Sequence, residues 1–431
     1  MLARLRLPAA ITALLAAPVA ASAGSALAEE ATPTAPQVAQ AETAPAAAAA
    51  PQTWWDTVKL HGHLEAGITF NPDSPSNRQN FGQLFTDKAN QLLLNQALLT
   101  AERPLDPNAT GYDVGFKLQA MYGSDARYTH FLGEFDRSIH DRTQADIVEA
   151  NVLVHTPWLT EGGIDFKIGQ FVSPLGAEVI DAEGNPLYSH SYIFNFGVPF
   201  KHTGILTTTH VNPTLDLYFG LDTGVNTSLG NGDNNDRIAG IAGFGLNNLL
   251  DGKLSVVAYT HIGPENPKRT VPFANSALRY LNDIVLTYKA TDKLTLTTDI
   301  NYIRDDGFGA IGYGAAQYAA YALNDMFTLV ARGEVWRDNN NFFVAAFPGN
   351  LDFVNSERGF PATVIPGGRT TYGALTAGVN IKPNVSGVPF LTGLTLRPEL
   401  RYDRALNNTR PFNDSSSKDQ FTIAADLILP F

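Results

Sequence analysis

The chain contains no cysteine. That absence removes disulfide frameworks, thiolate metal sites and thiol nucleophiles together, and it suits a protein that crosses an oxidising compartment without mispairing. Past the N-terminal segment no apolar run approaches the ~18 residues that a transmembrane helix requires, which excludes a helical membrane protein. Positive charge is scarce. Thirty Lys and Arg stand against 42 Asp and Glu, a formal net charge of −12, which argues against nucleic acid as a partner because phosphate binding needs a basic surface. Charged residues of both signs together reach only 17%. What the chain does have is glycine at 37 positions, 25 Phe and 15 Tyr, a mixture that suits strands, turns and aromatic girdles.

The N-terminus carries a targeting pattern. Arg4 and Arg6 precede an apolar stretch from Leu7 to Ala23, and the small-residue site Ala26-Leu27-Ala28 follows. This predicts a signal peptide over 1–28, with Ala21-Ser22-Ala23 as the alternative cleavage site. Residues 29–53 are dominated by Ala, Pro, Thr, Glu and Gln, too polar and proline-rich to bury a core, and predict a disordered periplasmic leader. Residues 54–431 then form one domain.

From Val58 onward the hydrophobic pattern has period two. Leu60, Leu64, Ile68 and Phe70 share a face opposite His61, His63 and Glu65. Tyr112, Val114, Phe116, Leu118 and Tyr122 oppose Asp113, Lys117 and Gln119, with an aromatic at each end of the apolar row. Leu396, Leu400 and Tyr402 oppose Arg397, Glu399, Arg401 and Asp403. A single amphipathic strand fits a soluble sheet equally well, but many in succession, joined by alternately short and long connections, are what a membrane barrel requires.

Strands are predicted at about 58–70, 91–101, 112–122, 146–155, 164–171, 202–210, 215–222, 238–246, 253–261, 281–290, 294–302, 312–322, 327–336, 370–381, 393–403 and 420–431. Alternation is weakest in 91–101 and 312–322. Tight turns such as Val211–Thr214 and Ala290–Lys293 lie on one side, and long segments at 71–90, 123–145, 172–201, 223–237, 262–280, 303–311, 337–369 and 404–419 on the other. The fold class is therefore an all-β transmembrane antiparallel barrel of about 16 strands, with short periplasmic turns and long external loops. Its last strand ends on Phe431, after an apolar row of Phe421, Ile423, Ala425, Leu427 and Leu429. This resembles the C-terminal signal by which the barrel-assembly machinery recognises its clients.

The segment Lys167–Ile180, with Asn185-Pro186, Tyr188-Ser189-His190-Ser191 and Asn195–Gly204 after it, resembles the OmpL-like family of outer-membrane β-barrel porins, and the likeness extends more loosely over 55–431. The resemblance implies an outer-membrane location and passive diffusion of small hydrophilic solutes or ions. It supplies no catalytic residues. Resemblance to general porins also implies a homotrimer, with outer-membrane lipid and lipopolysaccharide around the barrel.

The 172–201 connection is too long for a turn. Placed like the third loop of general porins, it is expected to fold into the lumen, where Glu178, Asp181 and Glu183 would supply negative charge at a constriction opposite Lys117, Arg332, Arg397 and Arg401 on lumen faces. An ordered external cap is the alternative for the loop, and plainly solvated faces the alternative for the charges. His61, His63 and Glu65 lie in a row with metal-ligand side chains, but no fourth ligand is identifiable and a polar lumen wall is the preferred reading. His190 with Ser189 or Ser191 and Asp181 contains the residue types of a hydrolytic triad, yet sequence neighbours rarely make one and no Gly-x-Ser-x-Gly elbow occurs. Gly230–Arg237 is dense in oxygen ligands but lacks the twelfth-position Glu of a calcium loop. Trp54 and Trp55 fit an interfacial belt better than a binding platform. The expectation is a non-enzymatic channel with no cofactor and no metal. Its rival is a plugged barrel acting as a surface receptor, adhesin or envelope anchor through the loops at 172–201 and 337–369.

Overall fold

The computed structural model describes residues 53–135, 141–385 and 387–431, so the expected signal peptide and nearly all of the leader lie outside the described residues. Among the described residues sixteen strands close into one barrel. They are β1 (Lys59–Phe70), β2 (Leu92–Arg103), β3 (Asp113–Gly123), β4 (Gln144–Thr156), β5 (Ile164–Val172), β6 (Lys201–His210), β7 (Leu215–Asp222) and β8 (Ala239–Asn248). They continue with β9 (Leu254–Pro264), β10 (Leu278–Lys289), β11 (Leu294–Asp305), β12 (Ala310–Ala322), β13 (Phe327–Asp338), β14 (Thr370–Ile381), β15 (Thr395–Ala405) and β16 (Asp419–Pro430). Each pairs with its neighbours in sequence, and β16 returns to β1.

Closure rests on the chain's end. β16 runs antiparallel to β1 with Leu64 opposite Leu429 and Phe70 opposite Ile423. Past the strand, Gly62 and Phe431 exchange backbone hydrogen bonds of 3.0 and 2.8 Å. Among the described residues the barrel sheet has no unpaired edge, which is the condition for strands to lie in lipid.

Burial along each wall is inverted relative to a soluble sheet. Leu60, Leu99, Leu118, Phe219, Leu221, Leu375 and Leu400 are exposed, whereas Glu65, Gln96, Glu149, Asp283, Asp299, Arg332, Glu399 and Arg401 are buried. The apolar face is thus the outer, lipid-facing one and the charged face lines the lumen. Aromatics mark its borders: Tyr112 and Tyr122 flank β3, and Trp54 at the short-turn end donates its indole N–H to the Val114 carbonyl at 2.9 Å. That position fits an interfacial belt.

Three details differ from the sequence expectation. The connection expected at 303–311 shrinks to 306–309, because the strand pairing of β11 with β12 continues to Asp305 and Ala310. The weak alternation in 91–101 has a local cause. β2 bulges opposite Glu65 and Ala66, so the consecutive residues Asn95 and Gln96 both turn inward. The long loops also do not remain outside: Phe81 and Phe85, Tyr128, Phe194 and Phe200, Phe343 and Phe347, and Phe412, from five of the connections, form one buried cluster with Trp336 and Tyr372 of the wall. Ring centroids there lie 4.9 to 6.3 Å apart for Tyr192–Tyr372, Phe194–Phe200 and Phe81–Tyr372.

Leu118 lies at mid-height on the outer face of β3 and is half exposed. Leu118→Arg is expected to cost about 2–4 kcal/mol of folding into lipid bilayers. Denaturant titration of the refolded protein measures it, and a cost near zero would mean that this face does not meet hydrocarbon.

Candidate functional site

A chain segment inside a barrel must find partners for its peptide groups. The loop from Ser173 to Phe200 does enter the lumen and crosses it, and the wall supplies those partners. Lumen carboxylates accept its N–H groups: Gly176 donates to Asp283 at 2.9 Å, Ala177 to Asp299 at 3.0 Å, Tyr188 to Glu399 at 2.9 Å and Tyr192 to Glu334 at 2.7 Å. Lumen cations and amides donate to its carbonyls. Arg332 reaches Ser189 O at 2.7 Å, Arg401 reaches His190 O at 2.6 Å, and Arg397 reaches Ala182 O and Asn185 O at 2.9 and 2.7 Å. Gln96, turned inward by the bulge, donates to Ile180 O at 2.7 Å. Because these groups sit near the midpoints of strands on both sides of the barrel, they hold the loop at mid-height.

Two glycines make room for this arrangement. A Cβ at Gly67 would stand 2.4 Å from the ring of Tyr188, whose hydroxyl bonds Asn95 at 2.9 Å. One at Gly197 would stand 2.4 Å from Asn301, which donates to the Gly197 carbonyl.

The seven charges singled out from sequence divide into two groups. Glu178, Arg332, Arg397 and Arg401 are buried. Glu178 takes Arg332 and His190 Nδ1 at 2.8 Å each and the Tyr318 hydroxyl at 2.9 Å. Its burial favours the neutral acid, but the Arg332 guanidinium and His190 outweigh that and hold the carboxyl down at about 2. Arg397 pairs with Asp426 and with Glu65 at 3.1 Å, and Arg401 with Asp403 at 2.7 Å. These four do not oppose one another across water, as a transverse field would need; the loop brings Glu178 into direct contact with the wall. Lys117, Asp181 and Glu183 stay partly open, with 28%, 30% and 42% of their side chains exposed. Lys117 pairs with Glu149 at 2.9 Å, while Asp181 and Glu183 face His63 Nδ1 at 3.7 and 3.6 Å.

The other constellations resolve differently. His61, His63 and Glu65 go to separate partners: Glu102 at 3.4 Å, Gln96 at 3.1 Å and Arg397. His190 pairs with Glu178 rather than Asp181, and Ser189 accepts from Arg332. In 230–237, Asp233 accepts the N–H groups of Asn235 and Asp236, and Asp236 pairs with Lys268. None of Asp283, Asp299, Glu334 and Glu399 is among the residues singled out from sequence as site candidates. Period-two parity puts all four on the lumen face, but nothing local marks them as peptide acceptors.

Water-sized space remains at both ends. A cavity of ≈ 970 Å³ opens among the short turns, lined by His155, Asp165, His210 and Asp216. A smaller one of ≈ 180 Å³ lies above the loop, lined by Asn195, Glu265 and Arg279 together with aromatic residues.

This architecture has close counterparts in outline though not in sequence. The chain is similar to the anion-selective porin from Comamonas acidovorans (11% identity, 87% of this chain and 99% of that chain covered, TM-score 0.53). It is also similar to OprB of Pseudomonas putida (11%, 87% and 94%, 0.52) and to the outer membrane channel DcaP of Acinetobacter baumannii (13%, 87% and 97%, 0.50). These likenesses are of fold. No curated protein matches by sequence. The sequence profile of one family, described as putative beta-barrel porin-2, OmpL-like, matches residues 57–431, the whole barrel from just before β1 to the C-terminal Phe431. With the closed sixteen-strand wall and its charged lumen, that match makes the chain a member of the OmpL-like porin family of the outer membrane.

Proposed function

We propose that the barrel passes small hydrophilic solutes or ions by diffusion and that the loop 173–200 sets the size limit at mid-height. In this reading it is a passive channel and not an enzyme. Glu178, Arg332, Arg397 and Arg401 anchor the loop, whereas Lys117, Asp181 and Glu183 meet the solute. The observation that carries the reading is this division: the loop fills part of a charged lumen and seals four of the seven charges, while Lys117, Asp181 and Glu183 keep 28%, 30% and 42% of their side chains exposed. A homotrimer, and recognition of the last strand by the barrel-assembly machinery, are carried as parts of the same proposal.

One observation favours a second reading, a sealed barrel that acts as a receptor or anchor. The aromatic cluster joins several loops inside the long-loop end. Planar-bilayer recording of the mature protein separates the two: stepwise openings support the channel, and a silent, correctly folded barrel would overturn it in favour of the receptor. In the channel, Asp181→Asn with Glu183→Gln is expected to lower the cation-to-anion permeability ratio by about twofold or more, read from the reversal potential under a salt gradient. An unchanged reversal potential would remove these two carboxylates from the path.

Arg332→Ala removes the buried guanidinium that Glu178 and Glu334 share, leaving Glu178 to His190 and Glu334 to Arg401 at 3.5 Å, a loss of about 3–5 kcal/mol for a broken buried pair. The expected result is a released loop, seen as larger conductance and new protease cleavage within 173–200. Wild-type conductance together with wild-type resistance to cleavage would refute the anchor.

A further inference from the structure

Away from the loop anchor, three strands bring a second set of side chains together at the long-loop end. His202 is the second residue of β6, Asp222 the last of β7 and His261 lies near the end of β9. All three point into the lumen wall and are buried, with no exposed surface on either imidazole. His202 Nδ1 lies 3.5 Å from Asp222 Oδ2 and His261 Nε2 3.2 Å from Asp222 Oδ1, and the two rings are 4.9 Å apart.

The local polar groups are incompletely satisfied. His202 Nδ1, Asp222 Oδ2, His261 Nδ1 and Glu265 Oε1 are buried and make no hydrogen bond. Buried polar atoms without partners are uncommon, and four in one place call for an explanation. Charge points the same way. With neutral imidazoles the cluster holds the carboxylates of Asp222 and Glu265, while the adjacent Arg279 is committed to Asp305 at 2.8 Å.

We propose that His202, Asp222 and His261 bind a divalent first-row transition metal, with Zn²⁺ as the probe. Metal–ligand bonds of about 2.0–2.1 Å set neighbouring tetrahedral ligand atoms about 3.3 Å apart; each oxygen of Asp222 stands near that separation from one histidine, Oδ2 at 3.5 Å from His202 and Oδ1 at 3.2 Å from His261, and one ligand atom from each of the three residues lies within 4.8 Å of the others. Two imidazoles and one carboxylate are a donor set suited to zinc and its neighbours rather than to calcium or magnesium. The second ring nitrogens also have orienting groups. His202 Nε2 stands 3.1 Å from Ser173 Oγ, and His261 Nδ1 faces Glu265 Oε1 at 3.8 Å, so that a metal on Nδ1 of the first and Nε2 of the second leaves each remaining N–H aimed at an oxygen. Glu265 Oε2 is fixed by the Val225 N–H at 2.7 Å. The metal would tie the bases of three successive long connections, those after β5, β7 and β9.

The test uses the full mature protein without a polyhistidine tag, stripped with chelator and titrated with Zn²⁺ in detergent. Calorimetry is expected to show one equivalent bound and a raised melting temperature. His202→Ala and His261→Ala should each weaken binding more than about 100-fold, beyond the roughly 10–100-fold expected for Ser173→Ala or Glu265→Gln as orienting groups. No saturable equivalent in the wild type, or unchanged affinity in both histidine variants, would overturn the site. So would loss of the equivalent only in His63→Ala, which would place it beside Asp181 and Glu183. Heat-modifiable migration on gels confirms that each variant is folded. Should neither histidine variant fold, X-ray absorption of the Co²⁺-loaded wild type still decides: two imidazoles in the coordination shell support the site, and an oxygen-only shell refutes it.

Discussion

Peptide groups that leave water need partners, and the lumen of this barrel is organised around that requirement. A loop on the surface would hydrate its own backbone. The segment from Ser173 to Phe200 lies instead against the walls, and its N–H and carbonyl groups go to carboxylates of β10, β11, β13 and β15 and to arginines of β13 and β15. The same wall charges that make a lumen wettable therefore double as the hydrogen-bonding surface on which the loop is seated. A purely apolar wall could not hold it, because every peptide group would then be stranded at a cost of about 1–3 kcal/mol each.

Seating also explains why the wall is mixed in sign. Carboxylates alone would leave the carbonyls at Ala182, Asn185, Ser189 and His190 unmet, and arginines alone would leave the amides unmet. With both, each arginine serves a carbonyl and a carboxylate at once: Arg332 spans Ser189 O, Glu178 and Glu334, and Arg397 spans two carbonyls, Glu65 and Asp426. Each of these arginines is thus paired as well as hydrogen-bonded, the condition under which burial of ions is tolerable.

How much of this is legible in the sequence depends on the range of the interaction. Alternation over a few residues exposes the strands, because lipid on one side and water on the other select side chains with period two. It blurs where the backbone leaves that period, as at Asn95 and Gln96, where the bulge turns two consecutive residues inward. The lumen face of Arg332, Arg397 and Arg401 follows from the same parity. Their pairing does not, since Glu178 meets Arg332 only after the loop has crossed to a strand seven places on from β6 in the sixteen-strand ring. The histidines at 202 and 261 show the limit. Parity puts each on the inner face, but their meeting at Asp222 depends on the strand registers and the height of each residue along its strand.

Selectivity follows by subtraction. A charge that spends its field on a buried partner at hydrogen-bond distance offers little to a passing ion, because the pair is close to neutral from outside and the low-dielectric packing excludes the solute. Glu178, Arg332, Arg397 and Arg401 are such charges. On the proposed reading the charges left to meet an ion are Asp181 and Glu183, which face His63 at 3.7 and 3.6 Å, and Lys117, itself paired with Glu149 at 2.9 Å. The number of arginines in a porin-like lumen is therefore a poor guide to its preference. What counts is which charges the loop leaves unpaired, and on the proposed reading those are the carboxylates of Asp181 and Glu183.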